Sequence, residues 1–161
     1  MKEFKFFIKE NIITILISIF AIFGVIILGS YNVKDLTETK KAEKTLENLK
    51  ELRIALEKYY QLTKTYPNLT IPEVKDNLKL LDFKNSKGEV ISFAEIYGRN
   101  SLPKTPKGLD ILESNSVYDI SDFTKGNNTG GWNYNYSGNT GEIHVNLPEN
   151  IYFQGIEWNS Y

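Results

Sequence analysis

The chain has 161 residues with 19 Lys and Arg against 20 Asp and Glu, a formal net charge of -1, and the length of one domain plus an attached segment. Lysines scattered among acidic residues exclude nucleic-acid binding by bulk electrostatics, which needs a basic balance or a basic stripe. Cysteine is absent and His144 is the single histidine; disulfides, thiol nucleophiles and Cys-containing zinc sites are excluded, and a His-based metal site or triad lacks its residues.

Residues 1–10 hold Lys2, Lys5 and Lys9 and read as a short cytoplasmic or leader segment. From Asn11 through Val33 there is no charge, and Ile12 to Leu28 is apolar except for Thr14, Ser18 and Gly24. As a helix, those ~23 positions span roughly 34 Å, enough for a hydrocarbon core of ~30 Å. A secretory signal peptide would have a shorter apolar region and a small-x-small cleavage site; Gly29-Ser30-Tyr31 is a poor match and the helical pattern runs past it. Residues 11–33 are therefore expected to be a transmembrane helix. The preceding lysines keep the N-terminus cytoplasmic and place the rest outside the cytoplasm.

Residues 34–66 are expected to continue the same helix. Leu36, Ala42, Leu46, Leu49, Leu52, Leu56, Tyr59 and Tyr60 recur at intervals that make one apolar face. Glu47–Lys50 and Arg53–Glu57 are favourable pairs that only offset like-charged neighbours such as Lys40–Lys44, so the stripe is the main support. A coiled coil ranks second, because about three to four heptads are wanted for one. Pro67 predicts the helix end near Thr63–Tyr66.

Residues 67–161 read as an extracytoplasmic loop and sheet. A short helix or turn is expected around Pro72–Leu81, a turn at Ser86-Lys87-Gly88, and breaks at Pro103 and Pro106. Leu109, Ile111 and Val117–Ile120 suggest short strands. Trp132, Tyr134 and Tyr136 alternate with Asn133 and Asn135; after Ser137–Gly141, Ile143, Val145 and Leu147 alternate with His144 and Asn146. Two period-2 runs about a glycine-containing turn predict a β-hairpin with one buried face, and the helical stripe is its natural partner. Glu149–Gly155 falls in a plausible last strand. The expected fold is α+β: a long N-terminal helix, half transmembrane and half amphipathic, packed on a small antiparallel sheet.

Several segments together resemble a known family. Leu49–Tyr60, with Leu52-Arg53 and Tyr59-Tyr60, followed by Tyr66-Pro67, is similar to the second half of the long helix of type IV pilins. Leu102–Gly108 resembles the proline-rich approach to their sheet, and Gly130-Gly131-Trp132-Asn133-Tyr134 with Thr140-Gly141-Glu142-Ile143 resembles the hairpin of G-type pseudopilins of type II secretion. Phe6 and Glu10 have the family's spacing after a cleaved leader, for which the resemblance implies that Glu10 pairs with the new N-terminal amine of a neighbouring subunit. Lys5 stands where the family has a small residue and Lys9 where it has an apolar one, a departure that weighs against prepilin peptidase cleavage. The plain alternative for Glu10 is an interfacial charge favoured by the helix dipole. The resemblance also implies a calcium site near Asp119, Asp122, Asn127 and Asn128. Hard oxygen ligands suit that ion, the spacing is not that of an EF-hand, and Asp and Asn are also ordinary turn formers.

No nucleophile, acid/base or phosphate-loop constellation occurs, so an enzyme is not expected. The resemblance implies a structural subunit of a type IV pilus or type II secretion pseudopilus. It would assemble with like subunits and minor pilins at an inner-membrane platform. The second expectation is an uncleaved single-pass membrane protein with a pilin-like domain that binds a partner.

Overall fold

The computed structural model describes the backbone of residues 2–161 and the side chains of Ile12, Thr14 and all residues from Leu16 onward. Helix α1 runs Lys2–Thr63. The chain divides into one unit up to Glu38 and a second, Thr39–Tyr161.

In the second unit α1 buries Ala42, Leu49, Leu52, Leu56 and Tyr59 of the predicted stripe, together with Thr45 and Ala55, while Leu46 and Tyr60 are half-buried. Each fully buried leucine contributes about 1.5–3 kcal/mol. Leu36, expected on that stripe, is exposed and precedes the packed unit. Arg53 does not pair with Glu57 as expected; its guanidinium donates to the Ile143 carbonyl at 2.9 Å, an acceptor that helical spacing cannot reveal. The helix ends where Lys64 turns left-handed at φ 60° and its N–H donates to the Tyr60 carbonyl at 2.8 Å. Tyr66 then folds back to stack on Tyr60 with ring centroids 4.6 Å apart.

Beyond Pro67 come 3-10 turns at Val74–Asp76 and Leu78–Leu81, where a short helix or turn was predicted. Strands β1 (Phe83–Lys84) and β2 (Val90–Ile91) pair antiparallel around the expected Ser86–Gly88 turn. The five-residue helix α2 (Phe93–Tyr97) buries Phe93, Ala94 and Tyr97 and ends at Gly98 with φ 75°. Leu109 and Ile111 form no strand. They lie in the loop closed by a single bridge between Thr105 and Ser114, where the prolines remove donors needed for a ladder. Glu149–Gly155 is likewise turns, not a last strand.

Strands β3 (Val117–Asp119), β4 (Trp132–Tyr134) and β5 (Ile143–Val145) form the main sheet in that order. The predicted hairpin is present, with Trp132 opposite Val145 and Tyr134 opposite Ile143. The sheet is mixed rather than antiparallel, because β3 runs parallel to β4. The connection 120–131, with a 3-10 turn at Phe123–Lys125, has the length that a parallel crossover requires. Both hairpin faces are buried, not one. Trp132, Tyr134, Ile143, Val145 and Leu147 join the core with the leucines of α1, while Asn133, Asn135, His144 and Asn146 are buried on the other face. That second face is covered by the crossover: Phe123 lies 4.0 Å from the His144 ring centre, and Asn146 donates to Asn127 Oδ1 at 2.7 Å.

The core ties separated motifs together. The Tyr134 hydroxyl donates to the Pro67 carbonyl at 3.0 Å, and Trp132 Nε1 to the Pro103 carbonyl at 2.9 Å. Gly141 (φ 65°) lies against the Tyr66 ring, and Gly131 (φ 85°) against the Ser116 backbone; a Cβ at either would collide with them. Only glycine meets both the conformation and the close approach.

Candidate functional site

From Leu16 to Thr37 every residue of α1 is exposed except half-buried Gly24. Phe20 and Val25 are exposed by 75% and 71%. Up to Val33 these residues carry no charge and are mostly apolar, an exposed surface far beyond the scattered side chains of soluble domains, which marks a lipid or protein contact. Its serine hydroxyls are satisfied within the helix: Ser18 Oγ donates to the Thr14 carbonyl at 2.9 Å, and Ser30 Oγ to the Ile27 carbonyl at 2.7 Å. Such internal pairing is what an apolar solvent demands of polar groups. The helix is long and apolar enough to cross a membrane, which is compatible with a single-pass membrane protein. Lys5, Phe6 and Glu10 fall on the backbone of α1, and their side chains lie outside the described residues.

The four residues considered for calcium each have protein partners. Asp119 accepts the Ser137 hydroxyl and the backbone N–H groups of Tyr136 and Ser137, at 3.2 and 3.1 Å. Asp122 caps the Phe123–Lys125 turn, accepting the Thr124 hydroxyl at 2.6 Å, and pairs with Lys125 at 2.9 Å. Asn127 Oδ1 accepts from Thr129 and Asn146, while Asn128 accepts from Asn159 at 3.4 Å. They serve as turn and crossover fasteners, and among the described residues no three His, Asp or Glu side chains gather as a metal site.

Asp119 yields a prediction. The Ser137 hydroxyl holds its carboxyl below the usual value, opposed next by burial, while the backbone N–H groups of Ser137 and Tyr136 each lower it by less. A depressed native pKa gives stability that is complete above the unfolded-state value and lost as pH falls through the folded-state one. Asp119→Ala is expected to cost about 1 kcal/mol, the exposed position discounting the larger value of a buried charge-assisted bond. It should flatten the acid limb of the stability curve below about pH 4, measured by denaturant titration across pH. An unchanged acid limb would remove Asp119 as a fastener.

Two grooves of about 420 and 570 Å³ flank Arg53 and share Tyr161. The first holds His144, whose Nε2 lies 2.9 Å from Glu142. Ser160 lines it too, but donates its hydroxyl to the Glu157 carbonyl at 3.0 Å, so no base–nucleophile contact is formed there. The sequence reading missed this groove and the exposure of Leu109 and Leu112, both set by how separate loops meet. The Pro106–Gly108 punctuation was the available signal for a protruding turn.

No protein-family model, no curated protein and no solved structure matches this chain.

Proposed function

We propose that the chain is a structural subunit of a type IV pilus or type II secretion pseudopilus that polymerises through its N-terminal hydrophobic helix. The observation that carries this reading is the make-up of α1. One helix presents an exposed, uncharged and mostly apolar surface from Leu16 to Val33, with Gly24 half-buried, and then a stripe buried in the second unit from Ala42 to Tyr59. Support also comes from the resemblance, whose pieces at Arg53, Tyr66-Pro67, Pro103, Trp132 and Gly141–Ile143 are linked by hydrogen bonds and close approaches within the second unit.

In this reading the apolar helices of many copies pack in the fibre core and the α+β domains form its surface. The inner membrane stores the subunits, with their domains outside the cytoplasm. An assembly platform, minor pilins and a separate ATPase take part, and the chain itself performs no reaction. If the chain is cleaved before Phe6, Glu10 neutralises the new amine of a neighbour, since a carboxylate among apolar helices needs a partner.

Lys5 favours a second reading, an uncleaved single-pass protein whose domain binds its partner as a monomer. Shearing cells, separating filaments from membranes and measuring the intact mass of the chain in each fraction decides between the two. A species starting at Phe6 in sheared filaments is expected. Full-length chain confined to membranes would sink the polymer and leave the second reading.

A further inference from the structure

Contacts along α1 order the second unit from one end to the other. The Tyr59 hydroxyl donates to the Leu81 carbonyl at 3.0 Å, Arg53 reaches Ile143, and Glu51 pairs with Arg99. Nearest the start of the unit, the Lys41 ammonium stands 5.9 Å from the centre of the Tyr152 ring. Tyr152 in turn donates its hydroxyl to the Pro106 carbonyl at 2.6 Å, and Ile151 packs where a Cβ on Gly108 would sit. The loop Pro106–Glu113 and the turns at 150–155 therefore form the end of the unit at which α1 joins it.

That end carries Leu109 and Leu112, 74% and 83% exposed, and Phe153, 51% exposed. Leu112 exceeds every other large exposed hydrophobic described, those of the apolar helix included. The turn presents them outward because the Gly108 N–H bonds the Ile111 carbonyl at 2.9 Å; half-buried Ile111 packs on the core between its exposed neighbours. Lys107 sits on the same loop and is exposed, as are Asp110 and Glu113, the latter paired with Lys104. In sequence, Lys41 follows Val33, the last position of the uncharged stretch, by about two helical turns.

We propose that the Pro106–Glu113 loop, with Phe153 beside it, is a lipid-contact surface. Leu109 and Leu112 enter the boundary between headgroups and acyl chains, and Lys107 meets lipid phosphate. Apolar side chains with a neighbouring aromatic and a cation suit that boundary, where such groups bury by roughly 5–10 Å. The inference rests on the reading that the uncharged stretch of α1 spans a bilayer, since only the short sequence between Val33 and Lys41 then tethers this end of the domain to the surface. It assigns the loop the task of holding the domain against the membrane before the subunit leaves it.

Because the chain has no cysteine, single-cysteine variants test this directly. Leu112→Cys, Leu80→Cys and Phe20→Cys full-length chains are labelled with nitrobenzoxadiazole. Each is reconstituted at one chain per vesicle in phosphatidylcholine with phosphatidylglycerol, with and without lipids carrying a nitroxide near the headgroup or at mid-chain. Leu80 is exposed and adjoins Leu81, the partner of Tyr59, which lies roughly 27 Å along α1 from Lys41. The Phe20 label is expected to be blue-shifted and quenched by the mid-chain nitroxide. The Leu112 label is expected to be blue-shifted and quenched by the shallow one, and the Leu80 label to be neither. A quenched Phe20 label with an unquenched Leu112 label overturns the proposal and leaves the spanning helix standing. Equal quenching at Leu112 and Leu80 overturns it as non-specific adsorption, and a blue shift at Leu112 without quenching reassigns the loop to a protein contact. An unquenched Phe20 label removes the spanning helix and the proposal with it.

Discussion

Trp132→Ala is expected to cost roughly 3–5 kcal/mol of the stability of the Thr39–Tyr161 unit, the range for removing a fully buried large aromatic side chain. Trp132 has no exposed surface and stands in the middle strand of β3–β4–β5, so no edge can relax inward to fill the space. Its Nε1 also satisfies the Pro103 carbonyl, and losing a donor to a sheltered acceptor adds its own cost. Small domains hold about 5–15 kcal/mol in total, so much of the margin goes. Urea unfolding of the full chain in detergent, followed by circular dichroism, measures it, and fluorescence from buried Trp158 gives an independent probe in the variant. Trp132→Phe should lose clearly less, as most of the volume remains. A loss under about 1 kcal/mol for the alanine variant would contradict the central burial of this residue.

Ile22→Lys should have the largest effect on localisation. Ile22 lies at the middle of the uncharged stretch 11–33 and is 59% exposed. A lysine at the centre of a spanning helix costs about 2.5–3.5 kcal/mol on insertion scales, enough to change the partition of a single anchor many-fold. The fraction of chain resisting alkaline extraction from membranes should fall sharply. The unfolding midpoint of the domain should stay where it is, because Ile22 lies outside the Thr39–Tyr161 unit. Leu36→Lys is the matched control, with an exposed leucine beyond the stretch, and should leave both readouts unchanged. Full retention of Ile22→Lys in extracted membranes would refute the spanning helix.

The two experiments address the two units of the chain, and the sequence was legible to different degrees in each. Composition alone delimits residues 11–33, since the absence of charge over a bilayer's length needs no tertiary information. The stripe from Ala42 to Tyr59 was equally plain, because a helix repeats its face every three to four residues and Leu49, Leu52 and Leu56 keep that beat. The hairpin was legible from two alternating runs around Ser137–Gly141.

Other elements left no such trace. Helix α2, five residues long, and the two-residue strands β1 and β2 are shorter than the windows over which a period can be recognised. The strand reading of Leu109–Ile111 failed because alternation in a proline-flanked loop resembles a strand when nothing shows whether a ladder partner exists. For Asp119 the residue type was legible, but its bonds to Ser137 and Tyr136 depend on loops folding over one another.

By itself the sequence determined an α+β chain with one apolar membrane-length helix, its amphipathic continuation and a terminal hairpin, because each is a periodic or compositional property of neighbouring residues. Only the tertiary structure decided that β3 joins β4 in parallel, that the asparagine face of the hairpin is buried beneath the crossover, and that Leu109 and Leu112 protrude where α1 joins its domain. Those outcomes turn on contacts between residues far apart in the chain, where burial is set by what another segment covers and not by the polarity of the residue being covered.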